Sequence, residues 1–377
     1  MKAHGQQLTR HELARRSGDP AALGGVRSVI LDDGSERGVR VVEFRTGSGL
    51  AFDVLVDRAM DIGAAEHAGL SFGWRSPTGF RHPSLHEYAD EDGLSWLRSF
   101  SGLLVTAGLD HTGGVAEIDA SHFQYPARKT VRNGLHGRVS NIPARLIGAG
   151  EIWNGDECVL WAEGEVKQVA VFAEHLRLRR RIEADLGGDE IRLLDTVTNY
   201  GFDRTPHMYL YHINFGWPLL DEGTRVVAPI KRTRRYTDSV QKQRVSYQRM
   251  PGPLYPFVEQ VYSHEVVADA NGQVTAALVN DAREIAVSVT WSLEQFPYFA
   301  EWLHLREGGY TIGFEPTTRF GRAGSPEASP PIWLEHGDSR TYETTFRVTR
   351  GREGIATLVD GIRAIARQPE EDVPPID

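Results

Sequence analysis

The chain has 377 residues, 42 Lys and Arg against 51 Asp and Glu for a net charge of −9, and 40% hydrophobic residues with 39 glycines and 19 prolines. That is the composition of a turn-rich globular protein long enough to bury a large core, and its acidic balance, without a long basic stripe, argues against nucleic acid as a partner. A single cysteine, Cys158, rules out an internal disulfide, and in the strand-like ECVLWAEG it reads as a buried thiol and not a nucleophile.

The first 20 residues are polar and read as an N-terminal arm, with a short helix at 9–16 capped by Thr9 and by Glu12 three residues on. They lack the apolar core of a secretory signal, and no stretch approaches the roughly 20 apolar residues of a membrane span. The expectation is a cytoplasmic protein with no membrane partner, and a homo-oligomer is left open.

From Val26 onward short runs of Val, Ile, Phe and Leu alternate with polar residues and are broken by turn signals such as Asp33-Gly34 and Gly47-Ser48-Gly49. This is the pattern of an antiparallel meander. The same texture returns at 151–181, 190–199, 272–293 and 341–348, whereas helical periodicity is convincing only at 354–367. Many strands without alternating helices predict an all-β sandwich or barrel, and the absence of a fixed repeat weighs against a propeller. The breaks at 231–256 and 321–331 read as loops, so one large β domain is predicted over residues 21–350, followed at 351–377 by a helix and a proline-rich acidic tail.

One stretch, TPHMYLYHINFGWPLL at 205–220, concentrates polar and aromatic residues in a β-prone run stopped by Gly216, Trp217 and Pro218. Read as a single strand, it puts Met208, Leu210, His212 and Asn214 on one face and His207, Tyr209, Tyr211 and Ile213 on the other. Four further stretches set polar residues beside Gly or Pro: Arg58 and Asp61 in LVDRAMDIG, Trp74 in WRSP, His136 and Arg138 in GLHGRVSNIPA, and Glu315 in GYTIGFEPTTRFG. If extended, His136 and Arg138 share a face. Histidine titrates near neutral pH, a carboxylate beside it can be tuned to take a proton, and arginine grips hydroxyls or carboxylates. The combination suits acid/base work on a polyhydroxylated substrate, and Arg58, Arg75, Arg81 and Arg138 could recognise an acidic sugar. There is no phosphate-binding loop, no GxSxG, no HExxH and no CxxC. A metal bound by His136, His207 or His212 with Glu315 would need a bulge in the strand and ranks below acid/base catalysis.

These motifs resemble the aldose 1-epimerase (galactose mutarotase) superfamily. YHINFGWPLL is similar to its histidine-bearing strand, LHGR to its earlier histidine motif, and GFEP to the segment of its glutamate base, in the same order along the chain. The set DRAMDIG, WRSP, FSGLLVTAGLDHTG, LHGRVSNIPA, LYHINFGWPLL and GFEPTT resembles a poorly characterised branch of that superfamily, across roughly residues 26–350. The resemblance implies a large antiparallel β-sandwich that interconverts sugar anomers without a metal or organic cofactor. It implies Glu315 as the base that removes the anomeric hydroxyl proton and His212 as the acid that protonates the ring oxygen. His136 and Arg58 would contact the substrate, and Asp61, Trp74, Arg138, His207, Asn214 and Trp302 would belong to the binding set. Two departures bear on the substrate: Tyr211 and not asparagine precedes His212, with Asn214 after it, and LHGR replaces the glycine-rich form of the galactose enzymes. The substrate expected is therefore a small sugar of unassigned identity. The alternatives are a metal-assisted lyase or isomerase on an oxidised sugar in the same pocket, and a carbohydrate-binding protein without catalysis.

Overall fold

A computed structural model describes residues 1–3, 6–235, 245–321 and 328–366. The segments 236–244 and 322–327, read from the sequence as parts of loops, and the tail 367–377 lie outside the described residues. Within them the chain is mostly β, with two α-helices, Arg10–Arg16 and Arg352–Ile365. The first carries the predicted capping box, Thr9 accepting from the Glu12 amide while Glu12 accepts from the Thr9 amide.

Three antiparallel sheets build the body. The five-stranded one is the predicted meander, Gly25–Ile30, Arg40–Arg45, Leu50–Leu55, Asp61–His67 and Leu70–Ser71. The eight-stranded sheet has at its middle His175–Asp185, Glu190–Asn199 and Ser339–Arg350. Alternate residues of His175–Asp185 and Glu190–Asn199 are buried, as expected of strands with one face on the core. The six-stranded sheet runs Ile230–Arg235, Gln260–Val266, Tyr298–His304, Thr311–Thr317, Leu210–Gly216 and Leu104–Ala107. Residues 231–235, expected in a loop, thus form a strand.

Every residue of Leu210–Gly216 and of Thr311–Thr317 is buried. One face of these two strands packs on the eight-stranded sheet, with Tyr211 reaching Asp195 and, just before the first strand, the Tyr209 ring tilted against Tyr342. The other is roofed by the loops that follow Leu70–Ser71. A strand covered on both sides carries no simple apolar–polar alternation, which is why polar residues in it mark a site and not a surface.

The stretch 205–220 is not one strand. Thr205–His207 pairs with Ile332–Leu334, and a second strand starts at Leu210. The two pieces lie in different sheets, yet His207 still falls on the side assigned to it, in the core beside Tyr209 and away from His212.

Candidate functional site

His212 and Glu315 come together because their strands are neighbours. Ile213 pairs with Phe314 and Asn214 with Gly313, so His212 and Glu315 fall side by side on the roofed face. His212 Nε2 lies 3.2 Å from Glu315 Oε1, both side chains nearly excluded from solvent. Gly313 leaves the space for this: a Cβ there would stand 2.9 Å from His212 Cε1 and 3.3 Å from Trp302 Cε3.

The hydrogen bonds around Asn214 fix the tautomer of His212. Asn214 Nδ2 donates to the carbonyls of Gly102 and His212, both at 3.1 Å, which turns Oδ1 toward the ring at 2.5 Å from Nδ1. An amide oxygen only accepts, so Nδ1 carries the hydrogen and Nε2 presents a lone pair to Glu315. Electrostatics agree. Burial away from water pushes the His212 imidazole down to about 3. Burial, with the Glu259 carboxylate adding to it, pushes Glu315 up to about 8. At neutral pH the two therefore share one proton, held on Glu315 beside a neutral imidazole.

The roof over the pair is aromatic. Phe100 stacks on Trp96 with ring centres 4.3 Å apart and stands 4.7 Å from the His212 ring, while Trp302 lies 5.2 Å from that ring. Trp74 meets Phe100 and Trp302 edge-on. It is held there because the Trp74 amide donates to the Asn214 carbonyl, and Gly216 leaves no Cβ to strike it. The Trp302 indole donates to Glu259 at 2.9 Å. His136 completes the wall, its ring 4.6 Å from Trp96 and 5.7 Å from His212. Burial and the neighbouring His212 and His111 hold it well below the ordinary histidine value.

The loop that carries His136 is not extended. His136 itself has φ of +59° and Gly137 +77°, and a Cβ on Gly137 would meet the carbonyl oxygens of Gly108 and His111 at 2.4 and 2.5 Å. Arg138 consequently turns away. It donates to Asp110 and Asn133 and lies over the Tyr88 ring.

Of the residues singled out in the sequence, His212, Asn214, Glu315, His136, Trp74 and Trp302 converge, and Arg58, Asp61, Arg138 and His207 do not meet the pair. Arg58 is fully buried and donates to the carbonyls of Ser140, Arg81 and Ser99, behind Trp96 and Phe100. Asp61 accepts from Thr106 and Arg180 inside the sandwich. His207 bonds the Leu109 carbonyl and the Tyr342 hydroxyl in the core. Arg75 pairs with Glu36, and Arg81 donates to the Leu85 carbonyl. Trp96, Phe100 and Gly313 were missed. The spacing of Trp96 and Phe100 in SWLRSF is the only local signal for the roof, and nothing local marks Gly313.

No three His, Cys, Asp or Glu side chains among the described residues converge as metal ligands would. A groove of about 410 Å³ lies under the C-terminal helix, lined in part by Arg225, Asp281, Ile355, Val359 and Arg363. It shares no residue with the pair or its roof. No described helix is long and apolar enough to cross a membrane.

Residues 36–348 match a family described as a domain of unknown function, DUF4432. No curated protein sequence matches the chain. A solved structure of a candidate aldose 1-epimerase from Klebsiella pneumoniae is 24% identical and superimposes with a TM-score of 0.81, over 92% of this chain and 88% of that one. A galactose mutarotase-like protein from Clostridium acetobutylicum is 13% identical with a TM-score of 0.58, over 86% and 98%. A galactose 1-epimerase from Lactobacillus acidophilus is 11% identical with a TM-score of 0.52, over 87% and 99%. At these identities the likeness is one of fold, and the fold is galactose mutarotase-like.

Proposed function

This chain belongs to the DUF4432 family, and we propose that it is a cofactor-independent isomerase that exchanges the anomers of a sugar at the His212–Glu315 pair. The observation that carries the reading is an imidazole nitrogen and a carboxyl oxygen 3.2 Å apart under an aromatic roof. The anomeric hydroxyl and the ring oxygen of an aldose are bonded to the same carbon, so two adjacent proton-transfer groups can address both. When the proton stands on His212, the imidazolium protonates the ring oxygen as the C1–O5 bond breaks, and the Glu315 carboxylate takes the hydroxyl proton as the carbonyl forms. The pair then again holds one proton, now on Glu315, which is its resting state. Rotation about C1–C2 and reclosure return the proton by the same route. Removing one proton while supplying another avoids a free charge in a site from which water is largely excluded, and each group contributes roughly 10² to 10⁴ in rate. Trp74, Trp96, Phe100 and Trp302 offer flat faces for the apolar C–H surface of a sugar ring. In this reading His136 contacts a hydroxyl of the sugar.

Saturation-transfer NMR of anomer exchange across a panel of neutral, deoxy and acidic sugars tests the reading. We expect acceleration for at least one sugar, with kcat steady from mildly acid to neutral pH. Above about 8 it should fall as Glu315 loses the shared proton, and toward about 3 as His212 gains a second. No acceleration for any sugar would contradict it. Sugar binding without exchange would favour the non-catalytic alternative.

A further inference from the structure

We propose that Asp195, Arg180, Asp61 and the hydroxyls of Tyr209 and Tyr211 are positioning residues for His212, a reading that rests on the acid/base role given to His212 above. They meet on the core side of the strand Leu210–Gly216, Tyr211 from that strand and Tyr209 from just before it, and Arg180, Asp195 and Asp61 from the two sheets packed against it, behind the histidine.

Arg180 interrupts the inward row Leu176, Leu178, Ile182 and Ala184, and Asp195 interrupts Ile191, Leu193 and Val197. Aliphatic side chains in both places would fill the same space without taking charge out of water, and buried ion networks replaced in that way commonly leave a protein as stable or more so. Stability alone does not account for the charges, so their directional bonds are what needs a use.

Those bonds converge on the two strands at His212. Arg180 Nε and Nη2 donate to the two oxygens of Asp195 at 2.9 and 2.7 Å, Nη1 donates to Asp61 at 2.6 Å and to the Ala59 carbonyl, and Nη2 also reaches Thr106 Oγ1 at 2.8 Å. Asp195 Oδ2 accepts from Tyr209 at 2.7 Å and from Tyr211. Asp61 accepts from the amide and the hydroxyl of Thr106, at 2.9 and 2.5 Å. Tyr211 and Thr106 are partners across the ladder, and the next pair along it is His212 with Val105. The network therefore grips the backbone immediately beside His212 on both strands. It ties them to the eight-stranded sheet through Asp195 and Arg180, and to the five-stranded sheet through Asp61. Packing of apolar groups is non-directional and tolerates sliding, whereas these bonds fix the rotation and offset that set the 3.2 Å contact with Glu315. Proton-transfer sites need their groups held to about 0.5 Å.

The test uses the double variant Tyr209→Phe/Tyr211→Phe, which keeps both rings, and 15N NMR of the His212 ring assigned by comparison with His212→Phe. Tyr342→Phe, which removes a hydroxyl from His207 in the same core, is the control. In the wild type the Nδ1 and Nε2 signals should be well separated, as one neutral tautomer requires. In the double variant they should move toward each other, with kcat down about tenfold and KM within about twofold, as expected of a sub-ångström displacement of a reacting group. His212 signals unchanged in the double variant, or moved equally by Tyr342→Phe, would overturn the proposal. Should the double variant not fold, Tyr211→Phe alone is measured in its place, with the same expected shift and the same overturning result. The NMR result needs no substrate, so a wild type without sugar turnover would sink the enzymatic reading while this inference was still decided by the spectra.

Discussion

Replacing Glu315 by Gln is expected to slow anomer exchange severely while raising the thermal stability of the protein. The amide keeps the shape of the carboxyl group and can still donate to His212 Nε2, so the site keeps its geometry and loses only the group that gives and takes the proton. The rate loss should be on the order of 10² to 10⁴, the usual worth of one acid/base catalyst. The stability gain follows from the raised pKa. A carboxyl that titrates at about 8 when folded and near 4.5 when unfolded favours the folded state fully only below 4.5, and that advantage is lost as pH rises through 8. Near pH 7 the native protein therefore carries a cost that glutamine removes, with an upper bound of roughly 3 kcal/mol on the scale of 1.36 kcal/mol per unit. Melting temperatures should differ by several degrees at pH 7 to 8 and converge at pH 4. A variant less stable at every pH would show that Glu315 is an ordinary ionised strand residue and not a buried, protonated one. A gain in stability coupled to a loss of function is the usual signature of a residue kept for chemistry.

His212→Phe should cost a comparable factor in rate for a different reason. The ring still fills the space between Phe100 and Trp302, so packing is conserved, but both nitrogens disappear. Glu315 then has no partner with which to share its proton, and Asn214 Oδ1 loses the Nδ1 hydrogen it accepts. Leaving that buried oxygen unpaired should destabilise the fold by about 1 to 3 kcal/mol. Anomer-exchange rates and thermal melts read both effects. Exchange at the wild-type rate would remove His212 from the mechanism and leave Glu315 to act with another group.

Much of the fold was legible in the sequence, because period-two alternation and turn residues at regular intervals admit few architectures. His175–Asp185 and Glu190–Asn199 show why: they bury one face and read cleanly, even where Arg180 and Asp195 break the row. The strands that carry the site were harder, since Leu210–Gly216 and Thr311–Thr317 are covered on both faces and parity there says nothing about inside and outside. Parity still paired His212 with Asn214 and set His207 on the opposite side with Tyr209, where it is found in the core, although the chain changes sheets between His207 and Leu210. Arg58 and Asp61 looked like ligand contacts because charged residues beside a glycine mark site rims and buried polar networks alike. Only the three carbonyls around Arg58 and the guanidinium of Arg180 against Asp61 tell the two apart. Trp96 and Phe100 reach the pair from a loop over 100 residues away in sequence from His212, and Gly313, on the strand of Glu315 itself, matters only through the space that it leaves for the His212 ring.

A crystal structure with an aldose bound to the Glu315→Gln variant puts the proposed chemistry to its most direct test. The prediction is a sugar lying against Trp74, Phe100 and Trp302, with residue 315 within hydrogen-bond reach of the anomeric hydroxyl and His212 Nε2 within reach of the ring oxygen. A sugar bound elsewhere, or one that leaves residue 315 and His212 still in contact with each other and with neither oxygen, would contradict it.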